Sequence, residues 1–124
     1  MLLKFLLLHP SLTPIRLLQL PLAILIYCYF ALSSAPVDLT LEYNDKLMHF
    51  VGNVLLFGSF WLAFMPRVNS LLLLVALVPF VGLIEWIQGF NPARTLDFID
   101  FIANVCGLVC GWVLCLVLQK LVRA

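Results

Sequence analysis

Residues Ser70 to Gln88 read SLLLLVALVPFVGLIEWIQ, an apolar run whose single charge, Glu85, lies near its end. Crossing a hydrocarbon core of about 30 Å takes roughly 20 mostly apolar residues in a helix, so this run is long enough to span a bilayer. Working outward, the run Leu47 to Met65, LMHFVGNVLLFGSFWLAFM, ends just before it and is separated from it only by Pro66–Asn69. On the other side, Gly89–Asp97 leads into Phe98 to Leu118, FIDFIANVCGLVCGWVLCLVL. A further run, Ile15 to Ala35, precedes the connection Pro36–Lys46. The expected fold is all-α: one membrane domain over residues 1–124, with four transmembrane helices and no soluble part. Pro79 is expected to bend the third span, and Pro21 falls in the first turns of the first.

Composition supports this. The 124 residues are 65% hydrophobic and 10% charged, against about 45–50% and about 25% in a soluble domain. A water-soluble fold of this size cannot hide so much apolar surface. The net charge of +1 comes without a basic stripe, which excludes nucleic acid as a partner. Cys28, Cys106, Cys110 and Cys115 all lie inside apolar runs rather than in loops. They read as small hydrophobes, although Cys106 and Cys110 share a helix face that would suit a soft metal. At the N-terminus, Lys4 followed by FLLL resembles the start of a signal peptide. His9, Pro10, Pro14 and Arg16 interrupt that pattern, so the first span is expected to be a retained helix.

Orientation follows from the bases. With four spans, both termini and the Pro66–Asn69 connection share a side, and that side carries Lys4, Arg16, Arg67, Lys120 and Arg123. Lys46 and Arg94 lie on the other. The positive-inside rule then makes both termini cytoplasmic. Asp38, Glu42, Asp45, Asp97 and Asp100 fall in or beside the two opposite connections, and Glu85 lies near the same end of the third span.

Within that segregation, polar residues recur at helical spacing. Asp45, His49 and Asn53 form one stripe at i, i+4 and i+8, with Lys46 beside it. Glu85 and Gln88 follow Gly82. Asp97, Asp100 and Asn104 form another stripe, which continues into Gly107 and Gly111, with Arg94 in the preceding turn. An ionised group near the bilayer centre costs about 2.5–3.5 kcal/mol on insertion scales, so such groups turn inward or toward water. All three stripes start at a common depth, and an outward-facing polar pocket is expected in which Arg94 and Lys46 balance Asp45, Glu85 and Asp100. The glycine pair would let the fourth helix approach a neighbour closely.

The same residues carry a family resemblance. Asp45-Lys46-Leu47-Met48-His49-Phe50 resembles the D-K-x-x-H-F signature of the VanZ-like membrane proteins. Glu85-Trp86-Ile87-Gln88 is similar to their E-x-x-Q, and Arg94 followed by Asp100 to Gly107 resembles R-x5-D-x3-N-x2-G. These motifs cover residues 45–111. Asn53 stands where an aromatic such as Tyr is common, and Asp97 is an acid the pattern does not require. The resemblance implies a multi-pass protein of the bacterial cytoplasmic membrane. The family takes its name from an accessory glycopeptide (teicoplanin) resistance protein, and that name supplies no mechanism.

Several readings of the cluster stand side by side. In the first, an anionic lipid-linked or cell-envelope component binds at Arg94 and Lys46, aided by Gln88 and Asn104, because guanidinium presents a planar fork to phosphate or carboxylate. His49 would act as general acid or base, with Asp45, Glu85 or Asp100 orienting it. No good nucleophile accompanies them, since Ser59 lies deep in the second span and Ser70 at the opposite end. In the second, the cluster is a latch of ion pairs and interhelical hydrogen bonds in a non-catalytic scaffold or partner protein. A proton-linked transporter is a third, and it would need a homo-oligomer. No His/carboxylate spacing along the chain is specific enough to name a metal, and no cofactor is implied.

Overall fold

The computed structural model describes residues 2–33, 42–65 and 67–123. Its elements in chain order are α1 (Leu2–Leu8), a 3-10 turn (Pro10–Leu12), α2 (Thr13–Leu32), α3 (Glu42–Phe64), α4 (Ser70–Gln88) and α5 (Phe98–Arg123). Among the described residues, four helices are long and apolar enough to cross a membrane, and they are α2 to α5. The 19 residues of α4 rise about 28 Å at about 1.5 Å per residue, close to the hydrocarbon thickness of a bilayer.

Local chemistry sets the helix ends. Asn69 caps α4, its side-chain oxygen accepting the Leu71 N–H at 2.8 Å, which satisfies one of the orphan donors of a first helical turn. Asp97 does the same before α5 by accepting the Ile99 N–H at 2.8 Å. Pro21 and Pro79 lie inside α2 and α4 without ending either helix, as membrane helices allow. Helix α3 starts five residues before the apolar run that marks it, so Asp45 and Lys46 project from helical backbone rather than from a loop. The expected end of the first span at Ala35 and the acid Asp38 lie outside the described residues. Helix α1 was not expected as a separate element. Arg16, buried in α2, donates to the Leu7 carbonyl at its end and to the Thr13 hydroxyl at 2.8 Å.

Helix α3 is the central element, packed most extensively on α5 and also against α2, while α4 lies on α5. Its buried heart is Leu56 and Phe57 with Val81 of α4 and Leu108 of α5. The outward faces are strongly apolar, with Leu25 67% and Leu55 66% exposed. Asn53, Glu85, Gln88, Asp100 and Asn104 are buried instead. This inversion of the soluble pattern is what a lipid-facing bundle requires.

Glycine sets the closest approach. At Gly107 of α5 an added Cβ would stand 2.9 Å from the Asn53 Cβ and collide with the Phe50 carbonyl oxygen. At Gly111 it would meet the Phe57 Cβ and the Val54 carbonyl oxygen, both at 3.0 Å. The neighbour that the Gly107–Gly111 stripe approaches is therefore α3, and this contact aligns the α3 and α5 polar stripes.

Candidate functional site

The three stripes meet at the end of the bundle formed by the start of α3, the end of α4 and the start of α5. His49 is the centre. Its Nδ1 lies 2.9 Å from Asn104 Oδ1 and 3.9 Å from Glu85 Oε2. Its Nε2 lies 3.7 Å from Asp45 Oδ1 and 3.8 Å from Asp100 Oδ2. The His49 side chain is only 9% exposed.

Backbone geometry fixes the amides around it. Asn53 Nδ2 donates to the His49 carbonyl at 2.8 Å, and a carbonyl can only accept. The same Nδ2 donates at 2.6 Å to Asn104, so the Asn104 oxygen must face Asn53 and His49. Asn104 Nδ2 then donates to Glu85 Oε2 at 3.2 Å. An amide oxygen offers His49 no proton, so Nδ1 carries one and donates it. Asn53 Oδ1 accepts from the Tyr27 hydroxyl of α2 at 3.2 Å, closing the network across four helices.

The ion pairs distribute differently from the expected balance. Lys46 pairs with Asp100 Oδ1 at 3.0 Å and Asp97 Oδ2 at 3.3 Å. Asp97 is therefore an integral partner here, and the Ile99 N–H, followed by Lys46, holds its carboxyl below the usual carboxylate range. Arg94 Nη1 lies 3.9 Å from Asp45 Oδ1. Its Nε and Nη2 donate to the Ser33 and Phe30 carbonyls at 3.3 and 3.4 Å, tying the connection after α4 to the end of α2. The Glu85 carboxylate meets Asn104 and His49. Gln88 stands outside this network and donates to the Ala31 carbonyl at 2.6 Å. Among the described residues, four carboxylates (Asp45, Glu85, Asp97 and Asp100) thus lie beside two fixed cations, Lys46 and Arg94.

A cavity of about 480 Å³ opens beside this cluster, between α2 and α3. Asp45, His49, Gln88 and Arg94 line its polar end, and Tyr27 and Asn53 flank it. The remainder is mostly apolar, from Ile26 and Phe30 on α2 to Val51 and Leu55 on α3, and it reaches down to Ser59. Those four apolar residues are themselves 40–66% exposed on the bundle's flank, so the cavity is a trough open along its side. Sequence spacing found every member of the polar cluster but neither Tyr27 nor the trough. Tyr27 has no periodic polar companion on α2, and the trough is a property of two helix surfaces together. Cys106 and Cys110 are free thiols, exposed and half-buried on α5.

The VanZ/LLP1 family model matches residues 9–119, which takes in α2, α3 and α4 and all but the last four residues of α5, as well as the three motifs. No curated protein and no solved structure matches the chain.

Proposed function

The chain belongs to the VanZ/LLP1 family of membrane proteins, and from that premise we propose that it binds a lipid-linked or cell-envelope component with an anionic head. The carrying observation is the trough itself, one continuous cavity that is polar at the His49–Arg94 end and apolar along the rest. A hydrocarbon chain suits the apolar α2–α3 wall, which matches the lipid interior that the chain already occupies. The head then lies at Arg94 and His49, within reach of a guanidinium and an imidazole. Handling such an envelope component would connect the protein to the glycopeptide (teicoplanin) resistance for which the family is named. The latch reading has its own support, since Lys46, Asp97 and Asp100 tie α3 to α5. It gives no role to the trough.

The test uses a photoactivatable polyprenyl phosphate in nanodiscs. Wild type should be labelled on α2 and α3. Arg94→Ala should weaken binding about tenfold or more, since a charge-assisted hydrogen bond contributes about 1.5–3 kcal/mol. Gly52→Leu places its side chain beside Tyr27 in the trough and should also reduce labelling, whereas Val109→Phe, on an exposed face of α5, should not. Equal labelling of all four proteins would sink the proposal.

This reading places both termini in the cytoplasm and the trough's polar end on the opposite side of a bacterial inner membrane. The distribution of basic residues supports that orientation. An impermeant thiol reagent applied to intact cells should modify Ala93→Cys, at an exposed position between α4 and α5, but not Arg123→Cys. The reverse labelling would invert the topology.

A further inference from the structure

We propose that Asp45, His49 and Asp100 form a binding site for one divalent transition-metal cation, with Zn²⁺ the best fit to the donors. The proposal goes beyond the lipid reading and does not depend on it. No spacing along the chain marks this site, because Asp100 comes from α5 and the other two residues from α3.

One imidazole nitrogen and two carboxylate oxygens lie mutually within 4.8 Å. The Nε2 distances to the two oxygens are 3.7 and 3.8 Å. A tetrahedral cation with ligands at about 2.1 Å spaces them about 3.4 Å apart, so a closure of a few tenths of an ångström brings each oxygen to that spacing from Nε2, and the two oxygens, within 4.8 Å of each other, would close around the ion. Octahedral coordination at the same radius would need about 3.0 Å, a poorer match. One imidazole with two carboxylates is a mixed N/O set of the kind zinc accepts.

The tautomer supplies the independent observation. The Asn53 and Asn104 amides force the Nδ1 proton toward Asn104, so a neutral His49 presents the Nε2 lone pair to Asp45 and Asp100. That nitrogen makes no hydrogen bond to any described residue and, since no buried side-chain nitrogen or oxygen among them lacks a partner, it keeps some access to solvent. A lone pair facing two carboxylate oxygens is repulsive unless a metal cation, or a proton on Nε2, lies among them. Donation of the second ring N–H to an oxygen acceptor is also how metal-binding histidines are oriented. The carboxylates keep the needed atoms free. Lys46 takes Asp100 Oδ1 and leaves Oδ2 toward His49. Arg94 Nη1, at 3.9 Å, is beyond hydrogen-bond reach of Asp45 Oδ1. Because Asp45 and His49 line the trough, a fourth coordination position opens onto it, and an anionic oxygen or a water would complete the tetrahedron.

The experiment titrates Zn²⁺ into the full-length protein in phosphatidylcholine nanodiscs, with Co²⁺ as spectroscopic probe. One saturable Zn²⁺ per chain is expected. His49→Ala and Asp100→Asn should each weaken it at least about 100-fold, and Asn104→Ala about 10- to 100-fold through the lost orientation of His49. Cys106→Ser, at an exposed thiol of α5 outside the cluster, should leave it unchanged. Should a variant misfold, wild-type Co²⁺ absorption still decides: intense tetrahedral N/O bands support the site. Thiolate charge transfer, a weak octahedral spectrum, or no saturable binding overturns it, and the last outcome would leave a protonated His49 bridging the two carboxylates.

Discussion

Gly107→Val is expected to remove the folded protein almost entirely. The valine Cβ would have to occupy space held by the Phe50 carbonyl and the Asn53 Cβ. Overpacking a core costs about 1–3 kcal/mol when flexible side chains can give way. Here part of the obstacle is backbone, so the expected loss is at least about 3 kcal/mol. Relief would require α5 to move off α3, and Asn104, one turn before Gly107, would move with it. Fluorescence-detected size exclusion and melting in detergent should show a collapsed monodisperse peak for Gly107→Val. Gly58→Ala is the control, because an added Cβ there meets nothing within 4 Å; it should stay within about 0.5 kcal/mol of wild type. A Gly107→Val protein that melts like wild type would mean that α3 and α5 do not approach at this point.

Asn104→Leu is the second large effect, and it acts through chemistry rather than volume. It leaves three groups without their partner: the His49 Nδ1–H, one Asn53 N–H and Glu85 Oε2. Interhelical hydrogen bonds in membranes average about 0.6 kcal/mol, whereas an orphaned buried polar group costs about 1–3 kcal/mol. Three such groups place the destabilisation at about 3–9 kcal/mol. Asn53→Leu should cost a similar amount. The double variant should cost clearly less than the sum, because each leucine removes a partner that the other had stranded. Reversible unfolding in mixed micelles measures all three. Strict additivity would show that the two amides act separately.

Much of this was legible in the sequence, for identifiable reasons. The span Ser70–Gln88 matches α4 end for end, because an Asn cap and the following glycine bracket an unbroken apolar run. Helix α3 starts ahead of its apolar run, since hydropathy detects the lipid-facing part of a helix and not the turn of polar helix projecting beyond it. Stripes at i, i+4 predicted that His49, Glu85, Asp100 and Asn104 would come together, and they do. Which cation meets which acid was not legible. Lys46 chooses Asp97 and Asp100, and Arg94 spends two of its nitrogens on α2 carbonyls. Those choices depend on the rotation of α3 and α5 about their axes, which a periodic pattern leaves free. Tyr27 escaped notice for a related reason, since one hydroxyl on an apolar helix acquires meaning only when Asn53 arrives opposite it.

The flank of the α2–α3 trough has a thermodynamic corollary. A guest entering sideways never leaves the leaflet, so dehydration of its tail contributes nothing to the free energy of capture. Occupancy would follow the guest's mole fraction among neighbouring lipids, with arrival by two-dimensional diffusion, and its solubility in the aqueous phase would have no bearing. A detached, tail-less head group would compete poorly at any practical concentration.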